Sequence, residues 1–367
     1  MSRPAVVRVD LGARGYDVVV GRGVVGDRLG GLLSGRRRCA VVTQERAGTP
    51  HAALVEDALV AAGIEHVVVE MGDGEEHKTL GTVEALAERL AGWGLKRSDA
   101  VVALGGGIVG DTAGFLAATY MRGVPIVQVP TTLLAMVDSA IGGKTGVNLG
   151  AGKNLVGAFH QPIGVLADPT VLATLPDREY RCGLGEVAKY ALLGDLALQA
   201  VVADRTPALL ARDPGVLAEV VAACAAAKAA VVAADEEERT GARAVLNYGH
   251  TLAHALETAG GYRLAHGEAV AVGLVFAGRL AAELARIPST VADRHRALVE
   301  ALGLPVAAPA GLDADEVVAL MRRDKKSEGG LTFVLAGPSG VERVDDPPAG
   351  ALLAALGAVG VGGGEVV

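Results

Sequence analysis

Short β-branched runs recur through the first half of this chain and then stop. Residues 39–43, 66–71, 100–104 and 125–129 are five or six residues long, mostly valine-rich, and bounded by turn formers. Such runs predict buried parallel strands, and the intervening stretches 52–62 and 82–90 carry helical spacing. Alternation of this kind specifies an α/β domain with room for a nucleotide. Two further runs, 6–10 and 17–20, predict an N-terminal hairpin or edge strands. Near Pro176 the rhythm changes: from Asp177 onward the chain is rich in Ala, Leu and Glu with helical periodicity, and only 331–335 reads as a strand. At 367 residues the chain is too long for one ordinary core. The expectation is an α/β domain over 1–177 and an all-α domain over 178–367, with a glycine-rich tail from Gly360 that frays.

Composition excludes several classes. No uninterrupted apolar run reaches the roughly 20 residues of a membrane span, and residues 1–10 lack the apolar stretch of a secretory signal. A net charge of -8 without a basic patch argues against nucleic acid. Cys39, Cys182 and Cys224 are an odd number at wide spacing, neither a disulfide framework nor a zinc knuckle, and a reducing cytoplasm fits them. Basic residues divide into 26 Arg and 8 Lys, and Asn occurs only at 148, 154 and 247. Against that background a Lys or Asn beside Gly or His is informative, because Lys offers a compact charge with a tunable pKa.

The run Ala100-Val-Val-Ala-Leu-Gly-Gly-Gly-Ile-Val-Gly-Asp111 is a predicted strand ending in a glycine turn before a helix. Gly105, Gly106 and Gly107 let the backbone approach an anion, and the free N–H groups of the helix start suit a pyrophosphate. A tight turn without a ligand would carry the same residues, and the spacing is not the usual dinucleotide fingerprint. Two more loops follow predicted strands: Gly72-Asp-Gly-Glu-Glu-His-Lys-Thr79, which alone reads as solvated, and Pro130-Thr-Thr132. Ligands of α/β proteins bind at the carboxyl ends of strands, so three such loops at one edge point to a dinucleotide site.

Three of the eight histidines, His250, His254 and His266, fall within 17 residues. Asn247, His250 and His254 sit at i, i+3 and i+7, which predicts one helix face. By spacing alone His250 and His254 would share a metal ion. Glu186 and Lys189 also share a predicted face. A single histidine on an apolar helix is ordinarily a core residue, a reading that three so close together resist. Nitrogen and oxygen ligands with an open position describe a catalytic zinc site, in which cobalt would serve as well. Lys144 and Lys153 stand in one glycine-rich stretch suited to phosphate, although the spacing of a P-loop is missing. Lys228, Arg243 and Lys325 read individually as solvated helix charges.

Taken in order, these strings resemble the 3-dehydroquinate synthase family of sugar-phosphate cyclases. They are Asp73-Gly-Glu-Glu-His-Lys78, Gly105-Gly-Gly-Ile-Val-Gly-Asp111, Met121-Arg-Gly123, Pro130-Thr-Thr-Leu-Leu134, Val137-Asp-Ser-Ala-Ile-Gly-Gly-Lys-Thr145 and Gly152-Lys-Asn154. The second half adds Glu186-Val-Ala-Lys-Tyr190, Asn247-Tyr-Gly-His-Thr251, His266-Gly-Glu268 and Arg323-Asp-Lys-Lys326.

The resemblance implies a Rossmann-like NAD domain, a helical metal- and substrate-binding domain, and an active site in the cleft between them. It implies Glu186, His250 and His266 as ligands of a divalent metal, zinc or cobalt, with His254 handling protons nearby. NAD contacts are implied at Asp73, Gly74, Glu75, Lys78, Gly106, Gly107, Ile108, Val109, Gly110, Asp111, Thr131, Thr132, Lys144, Lys153, Val171, Leu172, Ala173 and Thr174. Substrate contacts are implied at Asp138, Lys144, Asn154, Lys189, Lys228, Arg243, Asn247, His254 and Lys325, with Arg122 lent across the interface of a homodimer. The stretch 235–243 is one residue longer than the family pattern, which leaves Glu236, Glu237 and Glu238 as alternatives for an acidic site residue. Lys325 and Lys326 are alternatives in the same way.

The implied reaction belongs to the shikimate pathway, which leads to the aromatic amino acids, and its substrate is a small phosphorylated sugar acid. It converts 3-deoxy-D-arabino-heptulosonate 7-phosphate to 3-dehydroquinate and phosphate. Transient oxidation by NAD is followed by β-elimination, re-reduction, ring opening and intramolecular aldol closure. Neither nucleic acid nor membrane is an expected partner. The rivals are an aminodehydroquinate, valiolone-type or deoxyinosose synthase, a metal-dependent polyol dehydrogenase, and an inactive NAD-binding scaffold.

Overall fold

Adjacent valines make both faces of a strand apolar, and such strands are stable only when covered on both sides. The structure, a computed structural model, describes residues 3–194, 196–260, 264–324 and 330–362. β1 (Ala5–Val9) and β2 (Tyr16–Val20) form an antiparallel hairpin at a sheet edge. There follow α1 (Val24–Leu32), β3 (Arg38–Gln44), α2 (Ala52–Ala61), β4 (Glu65–Met71), α3 (Leu80–Trp93), β5 (Ala100–Gly105), α4 (Gly107–Thr119) and β6 (Ile126–Pro130). β7 (Lys144–Leu149) and β8 (Gly152–Phe159) make a separate hairpin before β9 (Gly164–Ala167). The seven-stranded sheet has the order β1-β2-β9-β6-β5-β3-β4, and every pairing after the first is parallel.

Successive residues feed opposite faces. Val42 and Val101 join Leu86, Leu90 and Leu116 in one core cluster, while Val41 and Val102 join Leu29, Leu33 and Leu59 in the other. Burying each such side chain contributes about 1.5–3 kcal/mol. The four predicted parallel strands are β3 to β6, with β4 at the far edge of the sheet, and the two N-terminal runs are the hairpin at the other edge. The β7–β8 hairpin lies in the glycine-rich stretch of Lys144 and Lys153, where no strand is expected.

At Asp177 the chain leaves the sheet to build α5 (Asp177–Leu192), α6 (Leu196–Asp204) and α7 (Thr206–Leu210), then returns as α8 (Pro214–Ala234). Two compact units result. One comprises the chain up to Pro176 with Arg212–Glu237; the other comprises Asp177–Ala211 and the chain from Glu238 onward. The expected division at 177/178 puts α8 with the helical half, whereas α8 packs on β1 and β2 in the sheet unit. Periodicity marks a helix but not the neighbour it packs against. α8 is long and apolar enough to cross a membrane by length and composition, yet half of it is buried within the protein. Arg212 closes the excursion by donating to the carbonyls of Leu172 (3.0 Å) and Leu175 (2.7 Å).

The second unit continues with α9 (His250–Ala259), α10 (His266–Glu283), α11 (Ser289–Ala301) and α12 (Ala314–Asp324). The antiparallel pair β10 (Thr332–Gly337) and β11 (Gly340–Asp345) and then α13 (Ala349–Ala358) complete it. α10 is its centre, packed by α5, α9, α11 and α13. The helical expectation therefore departs at one hairpin, whose first strand takes in 332–335 of the expected 331–335 run.

Candidate active site

In the helical unit, Glu186 lies on α5, His250 opens α9 and His266 opens α10. Each stands next to a glycine where helices touch through their main chains. Gly185 meets Gly267, and Gly249 meets Gly273 of α10. A Cβ at Gly267 would overlap the Cys182 carbonyl, and one at Gly273 the Gly249 carbonyl, so only glycine permits the approach. The Glu268 carboxylate accepts the Ala265 N–H at 2.8 Å, which fixes the start of α10 where His266 stands.

These crossings bring one donor atom each from Glu186, His250 and His266 within 4.8 Å of one another. Glu186 Oε1 lies 3.2 Å from His266 Nε2 and 3.4 Å from His250 Nε2, and Oε2 lies 2.5 Å from Lys189 Nζ. The other ring nitrogens are held too: His250 Nδ1 is 3.1 Å from the Tyr248 carbonyl, and His266 Nδ1 is 3.3 Å from Glu257 Oε1. Two Nε2 atoms and a carboxylate oxygen that converge, each Nδ1 already against an acceptor, fit a divalent ion with an open position.

Charge follows the geometry. Burial works against the Glu186 carboxylate, but Lys189 and the two imidazoles outweigh it and hold this carboxyl well below the usual range. Burial lowers the His250 imidazole, with Glu186 opposing. Burial works downward on His266 as well, yet hydrogen bonds to Glu186 and Glu257 push it up to about 10. The two rings diverge because a second carboxylate faces only one of them.

His254 lies outside this triad, its ring centroid 5.6 Å from that of His250 and 6.5 Å from that of His266. Asn247 does not share their helix. It ends the 3-10 turn Ala242–Asn247, and Gly249, at φ 79°, breaks the chain before α9 begins. Arg243 is buried with its Nε 3.8 Å from Glu238 Oε1, while Glu236 instead pairs with Arg14 at 2.7 Å and accepts from Gln161 Nε2 at 3.0 Å. Lys325 and Lys326 lie outside the described residues. Glu257 was not among the expected residues, although its place seven after His250 puts it on the same helix face.

In the sheet unit the three expected loops follow β4, β5 and β6 and share the carboxyl edge. Gly106 caps α4, and Gly107, Ile108, Val109 and Gly110 form its first turn. Buried Lys78 donates to Asp111 Oδ2 (2.5 Å) and Asn154 Oδ1 (2.6 Å), joining the loop after β4 to α4 and β8. Burial raises the Asp111 carboxyl while Lys78 opposes. Asn148 extends the network by donating to Glu75 Oε1 at 2.7 Å and accepting the Asn154 N–H at 2.8 Å. Asp73 lies 3.8 Å from the Arg46 guanidinium, and Gly74 begins the turn to Glu75.

Lys228 on α8 donates to the Asp138 carboxylate (3.0 Å) and carbonyl (2.8 Å). The Thr131 hydroxyl donates to the Ala47 carbonyl, and the Thr132 hydroxyl accepts the Ala135 N–H at 3.2 Å. Lys144 and Lys153 are exposed on β7 and β8. Val171 and Leu172 have buried side chains, and Ala173 and Thr174 are exposed beside them in the turn Pro169–Thr174. Arg122 is exposed, and both it (φ 63°) and Met121 (φ 49°) are held in the left-handed region that side chains disfavour.

A sheet unit with ligand loops at its carboxyl edge and a helical unit with a converging Glu-His-His set define a two-part α/β-plus-α enzyme. The N-terminal model of 3-dehydroquinate synthase matches residues 68–182 and the C-terminal model matches 183–327. The chain belongs to the 3-dehydroquinate synthase family. It is 47% identical over 340 residues to the 3-dehydroquinate synthase of Caulobacter vibrioides, covering 90% of this chain and 92% of that one. It is 48% identical to a putative aminodehydroquinate synthase of Amycolatopsis mediterranei, covering 94% and 91%. Among solved structures, 2-epi-5-epi-valiolone synthase from Streptomyces hygroscopicus, with NAD+ and Zn2+ bound, superposes with a TM-score of 0.85 at 28% identity, covering 94% and 96%. A 2-deoxy-scyllo-inosose synthase complexed with carbaglucose-6-phosphate, NAD+ and Co2+ gives 0.84 at 27%, covering 93% and 96%.

Proposed function

We propose that this chain is a 3-dehydroquinate synthase, converting 3-deoxy-D-arabino-heptulosonate 7-phosphate to 3-dehydroquinate and phosphate. The observation that carries the reading is the near-full-length 47% identity to a 3-dehydroquinate synthase. The converging Glu186, His250 and His266 donors support it. Glu186, His250 and His266 would hold a divalent ion, and the loops after β4, β5 and β6, with Lys153, would hold NAD. When bound, these two groups supply Lewis acidity and reversible oxidation of a substrate alcohol.

The remaining roles fall to the chain's own side chains. Lys144, Asn154 and Arg122 take the phosphate, and their positive charges and hydrogen bonds stabilise it as it leaves in β-elimination. Arg122 comes from the second copy of a homodimer; its left-handed backbone on an exposed turn supports a functional constraint there. Lys228, fixed by Asp138, and buried Arg243 hold the carboxylate, where a guanidinium can bind both oxygens. His254 moves a proton beside the ion, and Lys189, fixed by Glu186, stabilises negative charge on the substrate hydroxyl. Asn247 and Lys325 complete the substrate contacts. Ring opening and aldol closure then need orientation more than further catalysts. Three free, buried cysteines suit a reducing cytoplasm.

A second reading, aminodehydroquinate synthesis, is favoured by the 48% identity to the Amycolatopsis protein. One assay separates the two. Protein loaded with Zn2+ and NAD is given the seven-carbon substrate or its amino analogue, with phosphate release measured and the product weighed by mass spectrometry. Stoichiometric phosphate and dehydroquinate without net NADH is expected. Turnover of the amino analogue alone selects the second reading, and net NADH from a plain alcohol abandons both.

A further inference from the structure

Glu257 is a buried carboxylate that has no part in the reaction as proposed, and burying a charged group is costly unless it is engaged. It lies on α9, two turns beyond His250, and its Oε1 is 3.3 Å from His266 Nδ1. That is the nitrogen facing away from the triad, since His266 Nε2 is the atom beside Glu186. Glu257 therefore meets the candidate ion site through the His266 ring. The other imidazole is backed differently: His250 Nδ1 meets the neutral Tyr248 carbonyl.

We propose that Glu257 is a positioning residue for the metal. By accepting the Nδ1 proton of His266 it fixes the tautomer that leaves Nε2 as a lone-pair donor, and it holds the ring plane toward Glu186 and His250. It also couples two donors mechanically. α9 delivers His250 directly and, through Glu257, orients the donor that α10 delivers. The second carboxylate brings the local charge closer to balancing a divalent cation beside Lys189. This rests on the metal reading given above.

The test is a Co2+ titration of the full chain against a chromophoric chelator, with the visible cobalt spectrum recorded for wild type, Glu257→Gln and Glu257→Asp. Melting of the ion-free proteins checks that each is folded. Glu257→Gln keeps the shape and loses the charge-assisted acceptor, so its cobalt affinity should fall about 10- to 100-fold, as for other partners of metal-bound histidines. Its ligand-field bands should shift or weaken. Glu257→Asp should recover part of the affinity and the wild-type band positions. Should Glu257→Gln not fold, the aspartate variant decides alone, a spectrum and affinity between wild type and loss being the expected result. Wild-type affinity and spectrum in every folded variant would overturn the proposal and leave the metal reading standing. Failure of the wild-type chain itself to bind Co2+ or Zn2+ would overturn both.

Discussion

In the sheet unit the candidate side chains come from a loop, two strands and two helices and hold one another through side-chain hydrogen bonds. Lys78 reaches Asp111 and Asn154, Asn148 reaches Glu75, and Lys228 reaches Asp138. In the helical unit the donors stand on helices whose main chains touch at Gly185, Gly249, Gly267 and Gly273. The first arrangement can exchange one hydrogen-bond partner for another when a ligand arrives. The second has its spacing set by backbone against backbone and has little to exchange. Exchangeable side-chain hydrogen bonds suit a ligand gripped over many contacts, whereas a small ion needs fixed distances.

The largest effect should come from the triad itself. Glu186→Gln removes an anionic donor, and because a Lewis acid contributes several kcal/mol, turnover should fall on the order of a thousandfold. Metal content by mass spectrometry and phosphate release check both halves of that expectation. Next is Lys189→Met. The Glu186–Lys189 pair is almost fully buried, and leaving one charge of such a pair alone costs about 3–5 kcal/mol. Urea melts of the ion-free variant should show the loss, and added zinc should return part of it. A variant as stable as wild type would mean that the imidazoles alone satisfy Glu186.

Glycine substitutions sharpen the contrast between crossings and ordinary helix positions. Gly267→Ala should cost about 1–3 kcal/mol by overpacking, because its Cβ would meet backbone. Gly92→Ala, on α3 with nothing within 4 Å, should instead stabilise by about 0.5–1 kcal/mol. Equal melting shifts in the two variants would remove the special status of the crossings.

The smallest effect at neutral pH is the one on which the two units should agree. Burial pushes the thiols of Cys39, in the sheet, and Cys182, on α5, up to about 12. A raised thiol pKa favours the protonated form in the fold. The associated stability is therefore fully present below the ordinary value near 9 and is lost as the pH climbs from there through about 12. A disulfide reagent at pH 8 should leave both unmodified until urea unfolds the protein. Rapid labelling of either would show local opening in that unit.

Strands β3 to β6 were legible because valine runs and parallel burial go together. The β7–β8 hairpin was not, because its glycines carry no alternation of apolar and polar residues. Spacing found His250 but paired it with His254, since helical periodicity reports neighbours on one helix and not the helix that crosses it. Glu186 and His266 came together from 80 positions apart, a distance only the ordered motifs bridged. Glu257 escaped notice because a glutamate on a helix reads as a solvated charge until the facing helix is known. The return of α8 to the sheet was hidden for the same reason.

That return bears on how the protein is made. The ribosome releases β1 and β2 first, but the helix that covers them, α8, emerges about two hundred residues later, after α5, α6 and α7 have passed. The sheet unit cannot close while its own first strands wait, so this chain does not finish one domain before beginning the next, as N-to-C synthesis ordinarily allows. Throughout that interval the apolar face meant for α8 is open to other contacts, and a chain stalled before residue 214 would keep it so.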